Sequence, residues 1–293
     1  MAQNITLLNT QYSDVGAVTL PKTGGGTALF ADASPTTAVE SDVASGKIFV
    51  KADGSLGTGT ASGGGGYTVN DLAVRNYTES DITLTVTLVK QYAFAGANIS
   101  GSVTAPNATV VETSAFQDTG ITRAHFPSVN QRLRSFAFAN TEITEITADD
   151  FPNVPYMDAS AFQGCRQLTS AVMPGFNGSN GNNGFNACGN LEIVDLGSLA
   201  STGNSMFWAC TKLKTIILRR TSAITAMAHS NVLSNTPFAD GGTGGTIYAP
   251  SALIASYKTA SNWSTYEGYG TITWAAIEDS YYETHYADGT LIT

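Results

Sequence analysis

Phenylalanine recurs with a fixed period through the middle of the chain. Phe94, Phe116, Phe138, Phe162, Phe185 and Phe207 stand 22, 22, 24, 23 and 22 residues apart. A small residue precedes most of them (Ala93, Ala115, Ala137, Ala161). An aliphatic residue follows five or six positions later: Ile99, Ile121, Ile143, Leu168, Leu191, Leu213. From Ile121 onward, a further apolar pair lies three and five positions beyond that aliphatic: Ala124/Phe126, Ile146/Ala148, Ala171/Met173, Val194/Leu196 and Ile216/Leu218. A unit this short cannot bury its own apolar face, so copies must stack and share one interior. Alternation at the last two apolar positions turns one face of a short strand inward. The pattern predicts a mainly β solenoid of about six coils, each of 22–24 residues, across residues 92–238.

The cysteines hold the same phase. Cys165, Cys188 and Cys210 each lie three residues after the repeat phenylalanine, where earlier coils carry Ala97, Thr119 and Thr141. Small, weakly polar residues at one phase mark a tight interior position, where cysteine acts as a small hydrophobe. A metal site would need partners, and His125, His229 and His285 share no spacing with the cysteines. A disulfide is disfavoured by the odd count.

Leu191-Glu-Ile-Val194-Asp-Leu196 and Leu213-Lys-Thr-Ile216-Ile-Leu218 match L-x-x-L-x-L, the strand segment of a leucine-rich repeat. The fuller pattern, clearest at Ala161-Phe162-Gln-Gly-Cys165-Arg-Gln-Leu168, resembles the BspA-like (Treponema-type) leucine-rich repeats. The resemblance covers about residues 92–250. It implies a binding scaffold of the kind found in bacterial and protist surface proteins and in bacteriophage proteins. The chain departs from the pattern in three places. The first three coils lack Cys, Gly175–Gly184 interrupts the fourth, and a long irregular run from Arg219 to Asp240 follows the sixth.

The first third is built differently. In residues 34–60, Thr36 or Thr37 with Glu40 suits a helix start and Gly46 its end. Lys47–Lys51 and Leu56–Thr60 suit two strands joined by an Asp53-Gly54 turn. This stretch is similar to a small module of phage tail and fibre proteins, which implies a particle-attachment region over residues 1–61. Residues 1–30 add two extended stretches. Ser62–Gly66 reads as a flexible linker, 67–91 as a β cap on the open edge of the array, and 239–293 as a C-terminal cap and hairpin. In that cap Trp263, Tyr266 and Tyr269 either pack or form a ligand platform.

Composition narrows the partners. Charged residues make up only 13% of the chain, about half the usual ~25%. Lys and Arg number 14 against 23 Asp and Glu, for a net charge of −9. A chain so poor in cations argues against nucleic acid and anionic lipid, and it has no apolar run long enough to insert in a membrane. The polar residues are mostly Thr, Ser, Asn and Gly, as in proteins that work outside cells. Yet Met1-Ala2-Gln3-Asn4-Ile5 opens no secretory signal. A virion protein, made in host cytoplasm and released by lysis, meets both conditions.

Enzymatic motifs are missing: no P-loop, no Gly-x-Ser-x-Gly elbow, no His-Glu-x-x-His. The acidic residues Glu142, Glu145, Asp149, Asp150 and Asp158 could offer paired carboxylates for glycan cleavage, but solvated loop charges account for them more simply. No catalytic residue, metal or cofactor is expected. Binding is better supported, through outward strand residues that differ coil by coil. The candidates are Thr144, Glu145, Glu192, Asp195 and Lys214, with Trp208 beside Phe207 either projecting outward or packing between coils, and residues 175–184 as a Gly/Asn recognition loop. The sequence therefore points to a homo-oligomeric virion protein of fibre or spike type. Its N-terminal region would meet other virion proteins, and its array would meet a bacterial surface glycan or protein. Capsid decoration and a bacterial adhesin are the alternatives.

Overall fold

The computed structural model describes residues 80–278 and six strands ahead of them. The chain divides into two compact units, Met1–Gly66 and Tyr67–Thr293. In the first unit, strands pair antiparallel as neighbours: β1 (Gln3–Leu7) with β2 (Thr10–Val15), β3 (Ala17–Pro21) with β4 (Thr27–Ala31), and β5 (Ile48–Val50) with β6 (Leu56–Thr58). The last pair sets Ile48 against Thr58 and Val50 against Leu56. The expected helix before Gly46, the Ser62–Gly66 linker and the hairpin at Asp288-Gly289 lie outside the described residues.

In the second unit the strands run parallel, each one winding on from the last. They are β7 (Ser80–Thr83), the short β8 (Leu88–Val89), β9 (Ser100–Thr104), the short β10 (Val110–Val111), β11 (Gly120–His125), β12 (Glu145–Ile146), β13 (Ser170–Val172), β14 (Ile193–Asp195), β15 (Thr215–Ile217), β16 (Gly245–Ala249) and β17 (Ile272–Ala276). One parallel sheet joins β7, β9 and β11, and a second runs in chain order from β12 to β17. A Thr144 N–H bond to the Thr122 carbonyl (3.1 Å) links the two sheets. The expected mainly β solenoid is therefore present, with eight windings between its nine principal strands rather than six.

The stack is longer at both ends. Residues 80–91, read as a cap, are wound into it: β7 pairs with β9 and β8 with β10. Ile82 and Leu84 are buried, but the alternation then breaks and Leu88 faces solvent. At the far end β16 and β17 continue the ladder. The run from Arg219 to Asp240 is a seventh copy with substituted landmarks. Phe207 N–H donates to the Val232 carbonyl (3.0 Å), in the same way that Phe185 N–H donates to Met206. This sets Leu233 in the phenylalanine place, Thr236 in the cysteine place and Phe238 in the aliphatic place, all buried. The helices α1 (Ile254–Thr259) and α2 (Trp263–Tyr269) lie between β16 and β17. Tyr257, Trp263 and Tyr266 are buried there, and Trp263 Nε1 donates to the Thr225 carbonyl (2.8 Å). Of the expected trio, Trp263 and Tyr266 therefore pack, whereas Tyr269 is 41% exposed with its ring edge-on to Tyr266.

The repeat rings stack rung on rung. Successive centroids from Phe94 to Phe207 stand 4.8, 5.3, 5.3, 5.5 and 5.8 Å apart, with planes within 8°. A second pair, Phe126 and Phe151 (5.8 Å), meets the first stack edge to face. Phe151 occupies the place expected for Ala148, which is half-buried. The reason is an inserted turn. Asp150 N–H donates to the Thr147 carbonyl (3.1 Å), and the Asp150 carboxylate accepts from the Thr147 N–H and hydroxyl, both at 2.8 Å.

The turn segments are regular as well. Two residues before the repeat phenylalanine, Tyr92, Ser114, Phe136, Ser160, Asn183 and Ser205 take positive φ. Two residues after it, Asp118, Asn140, Ala187 and Ala209 do the same, as do Gly96 and Gly164. A left-handed conformation costs a residue with a Cβ about 1–2 kcal/mol, whereas glycine's extra chain entropy costs roughly 0.5–1. Ala187→Gly and Ala209→Gly will each raise stability by about 0.5 kcal/mol, read as a higher urea midpoint. A lower midpoint at both sites would mean that their methyl groups make packing contacts worth more than the strain.

Candidate binding face

Alternation along each strand separates interior from exterior. Ile146, Ala171, Val194, Ile216 and Ile247 occupy one inward rung. The residues just ahead of the strands form an outward column. Thr144 N–H donates to Thr122, Thr169 to Thr144, Glu192 to Thr169 and Lys214 to Glu192, each carbonyl one coil back (2.8–3.1 Å). All five side chains are exposed. Thr169 Oγ1 also donates to the Thr144 carbonyl (2.9 Å), which fixes its rotamer. The column thus presents three threonines, a carboxylate and an ammonium on consecutive rungs roughly 4.8 Å apart.

Of the six sequence candidates, the structure brings Thr144, Glu192 and Lys214 into this column. Glu145 lies one residue on, exposed, at 3.4 Å from Arg123 Nη1. Asp195 is a correction. Its strand position is outward, yet it is buried. Its carboxylate accepts from Arg219 Nε (2.7 Å) and Nη2 (2.6 Å) and from the Gly197 N–H (3.0 Å). The outer face is covered there, because its neighbours Ile193, Ile217 and Tyr248 form a second buried apolar cluster with Ala275 and Ile277. Trp208 stands apart from the column, on the turn segment, and is 40% exposed.

Residues 175–184 are a second correction. They form no free loop: Phe176 and Asn180 are buried, and Asn180 Oδ1 accepts from the Met157 N–H (3.0 Å). Glycine is needed here for close approach. A Cβ on Gly181 would stand 2.5 Å from the Ala159 nitrogen, and one on Gly175 2.7 Å from the Pro152 carbonyl oxygen.

A family model, described as the BspA type leucine-rich repeat region in six copies, matches residues 74–175 and 131–238. The two spans together cover more than half of the chain. The chain belongs to this family. No curated protein and no solved structure matches it. The BspA-type match takes in the phenylalanine ladder and the cysteine phase, and its fold is a scaffold that is typically non-catalytic.

Within the BspA-type array the three cysteines are free and buried. Each thiol donates to the carbonyl of the phenylalanine one coil back: Cys165 to Phe138, Cys188 to Phe162 and Cys210 to Phe185, all at 3.1 Å. Thr119 and Thr141, in the same phase, instead close their own turns on Phe116 and Phe138 (2.8 and 3.0 Å). Burial pushes the Cys210 thiol up to about 12 and raises Cys188 well above its ordinary value. Burial also raises Tyr257 and Tyr266. Unfolding frees all four groups to ionise from about pH 9 to 10, while the native chain keeps their protons. Stability therefore falls as pH rises above about 9, which urea titrations from pH 8 to 11 will follow. At pH 8, a disulfide-exchange reagent will find no fast thiol in the native chain and three in urea. Three fast native thiols would contradict the burial.

The acidic residues divide. Glu142 and Asp149 are exposed charges, as expected of loops, and Asp158 pairs with Arg132 (3.2 Å). Asp150 does not fit that expectation. It is buried and accepts from Arg123 Nη2 (3.3 Å), meets His125 Nδ1 (3.1 Å) and holds Thr147. Arg123 and Glu145 complete this cluster on the outer face. The spacing Thr147-x-x-Asp150, a side-chain-capped turn, was the available signal for it. Among the described residues no group of three or more His, Cys, Asp and Glu side chains could hold a metal ion, and no helix is long and apolar enough to cross a membrane.

Proposed function

We propose that the chain is a bacteriophage virion protein. In this reading residues 1–61 attach to the particle, and the leucine-rich array is displayed for binding a bacterial surface glycan or protein. The observation that carries the binding reading is the outward column. Its residues change from Thr122, Thr144 and Thr169 to Glu192 and Lys214 while the rungs behind them stay apolar. Interior constancy with exterior variation is how a repeat scaffold accommodates a ligand. The virion reading is supported by the low content of charged residues (13%) and by the likeness of residues 34–60 to phage tail and fibre modules.

Labelled full-length chain, offered to intact bacterial cells, is expected to bind saturably. Lys214→Glu and Glu192→Lys will weaken that binding about tenfold or more, the loss of roughly 1.4 kcal/mol, without lowering the melting temperature. Absence of binding to every strain tried would favour a decoration role. Gold-labelled antibody should mark phage particles; label on uninfected cell surfaces would favour an adhesin. Host cell-wall glycan should release no reducing sugar on incubation with the chain, and release would replace the binder with a hydrolase.

A further inference from the structure

The turn segments carry a pattern that the strand face does not use. Four and two residues ahead of the repeat phenylalanine, successive coils hold Lys90 and Tyr92, Glu112 and Ser114, Arg134 and Phe136, Asp158 and Ser160. Backbone bonds keep both columns in register. Glu112, Arg134 and Asp158 donate to the carbonyls of Val89, Val111 and Leu133, and Tyr92, Ser114 and Phe136 donate to those of Thr113, Ser135 and Ala159. Charge alternates plus, minus, plus, minus. Bulk alternates large, small, large, small. The period of both is two coils, roughly 10 Å.

The coil does not explain the two exposed rings. Tyr92 is 60% exposed and Phe136 39%, and both sit in left-handed backbone with φ of 58°. Ser114 and Ser160, buried at the same phase, show the small residue that this turn accepts. Large rings here add strain and expose apolar surface, and neither helps the chain fold. The charges are also incompletely used. Arg134 reaches Glu112 and Asp158 only at 3.9 Å, its Nε is sealed from water without a hydrogen-bond partner, and Lys90 has no ion pair among the described residues.

We propose that this face is a two-fold interface between two copies of the chain, laid antiparallel along the stack. An axis midway between the Glu112 and Arg134 coils sets Lys90 against the partner's Asp158 and Glu112 against the partner's Arg134. It also sets Tyr92 over the partner's Ser160 and Phe136 over the partner's Ser114. Each charge of the column then meets its opposite, the partner's Lys90 joining Arg132 (3.2 Å) at Asp158, and every ring meets a serine, as an isologous contact requires. A slip of one coil sets Lys90 against Arg134, Glu112 against Glu112 and ring against ring, so the register is specified. A patch four coils long is small for a stable interface, which places the dimer in the weak, concentration-dependent class.

Sedimentation velocity of the full chain, from micromolar to submillimolar concentration, tests this. The wild-type chain is expected to shift from monomer to dimer. Phe136→Ser copies the residue of the neighbouring coils, keeps the fold and weakens the dimer at least tenfold. Glu112→Arg, which sets arginine against arginine, does the same. The double variant Glu112→Arg with Arg134→Glu restores opposite charges across the axis and recovers most of the affinity. A chain that stays monomeric throughout overturns the proposal. So does an oligomer indifferent to Phe136→Ser and Glu112→Arg, or a double variant that melts like wild type yet fails to recover. A monomeric chain whose cell binding is lost with Phe136→Ser overturns it in favour of a ligand platform.

Discussion

Phe138→Ala will cost about 3–5 kcal/mol, the range for deleting a fully buried aromatic side chain. Phe138 sits at the crossing of both aromatic stacks. Phe116 and Phe162 lie parallel to it at 5.3 Å on either side. Phe126 and Phe151 meet its edge at 5.6 and 5.5 Å. Removing the ring deprives four others of a partner and leaves a cavity in the middle of a structure where each coil touches only its neighbours. Domains of this size are stable by only about 5–15 kcal/mol, so one substitution removes a large part of the total. Phe94 offers the comparison. Among the described residues it has one stacked partner, Phe116 at 4.8 Å, near the end of the array. Phe94→Ala should cost clearly less, and urea unfolding of the two variants side by side will read the difference. Equal losses would mean that the rings act singly and the stack carries no extra weight.

The phenylalanine phase was legible because a single residue type marks one interior place in six consecutive coils. The seventh copy escaped because Leu233, Thr236 and Phe238 fill the same places with other residues of similar volume. Phe126 stood at its expected place, but Phe151 was harder, since the Thr147–Asp150 turn inserts residues between the strand and the inward ring. Fixed spacing then assigned Ala148 to the interior. On the outer face, alternation from the inward Val194 gave the direction of Asp195 but not what lies over it, and it did not give Glu192 or Lys214, which turn outward just ahead of their strands. Glu192 and Lys214 face solvent, whereas Asp195, equally outward, is covered beside Ile217 and Tyr248. Direction is a local property of a strand. Cover depends on what packs against the sheet, which the repeat period does not encode.

Glycine misled for a related reason. A run such as Gly175–Gly184 fits a mobile loop and a tight backbone contact equally well, because both need a missing side chain. Gly203 shows that the contact is the reason here. A Cβ on it would lie 1.8 Å from the Gly181 carbonyl oxygen and 2.8 Å from the Asn182 nitrogen. Both obstacles are backbone, so no rotamer change relieves them; the two coils must move apart. That movement would strain the Asn204 N–H bond to Asn182 Oδ1 (3.0 Å) and the neighbouring ladder between Asn183 and Asn204 (2.8 Å). Overpacking of side chains usually costs about 1–3 kcal/mol, and a clash fixed on both sides by main chain exceeds that. Gly203→Ala is therefore expected to lose more than about 3 kcal/mol or to leave the array unfolded. Gly268, inside α2 with open space around it, is the matched control: Gly268→Ala should raise stability by up to about 1 kcal/mol through helix propensity. Circular dichroism melts of the two variants decide the matter. If Gly203→Ala melts within a few degrees of the wild type, the coils are not held at the spacing that the Gly181 contact demands.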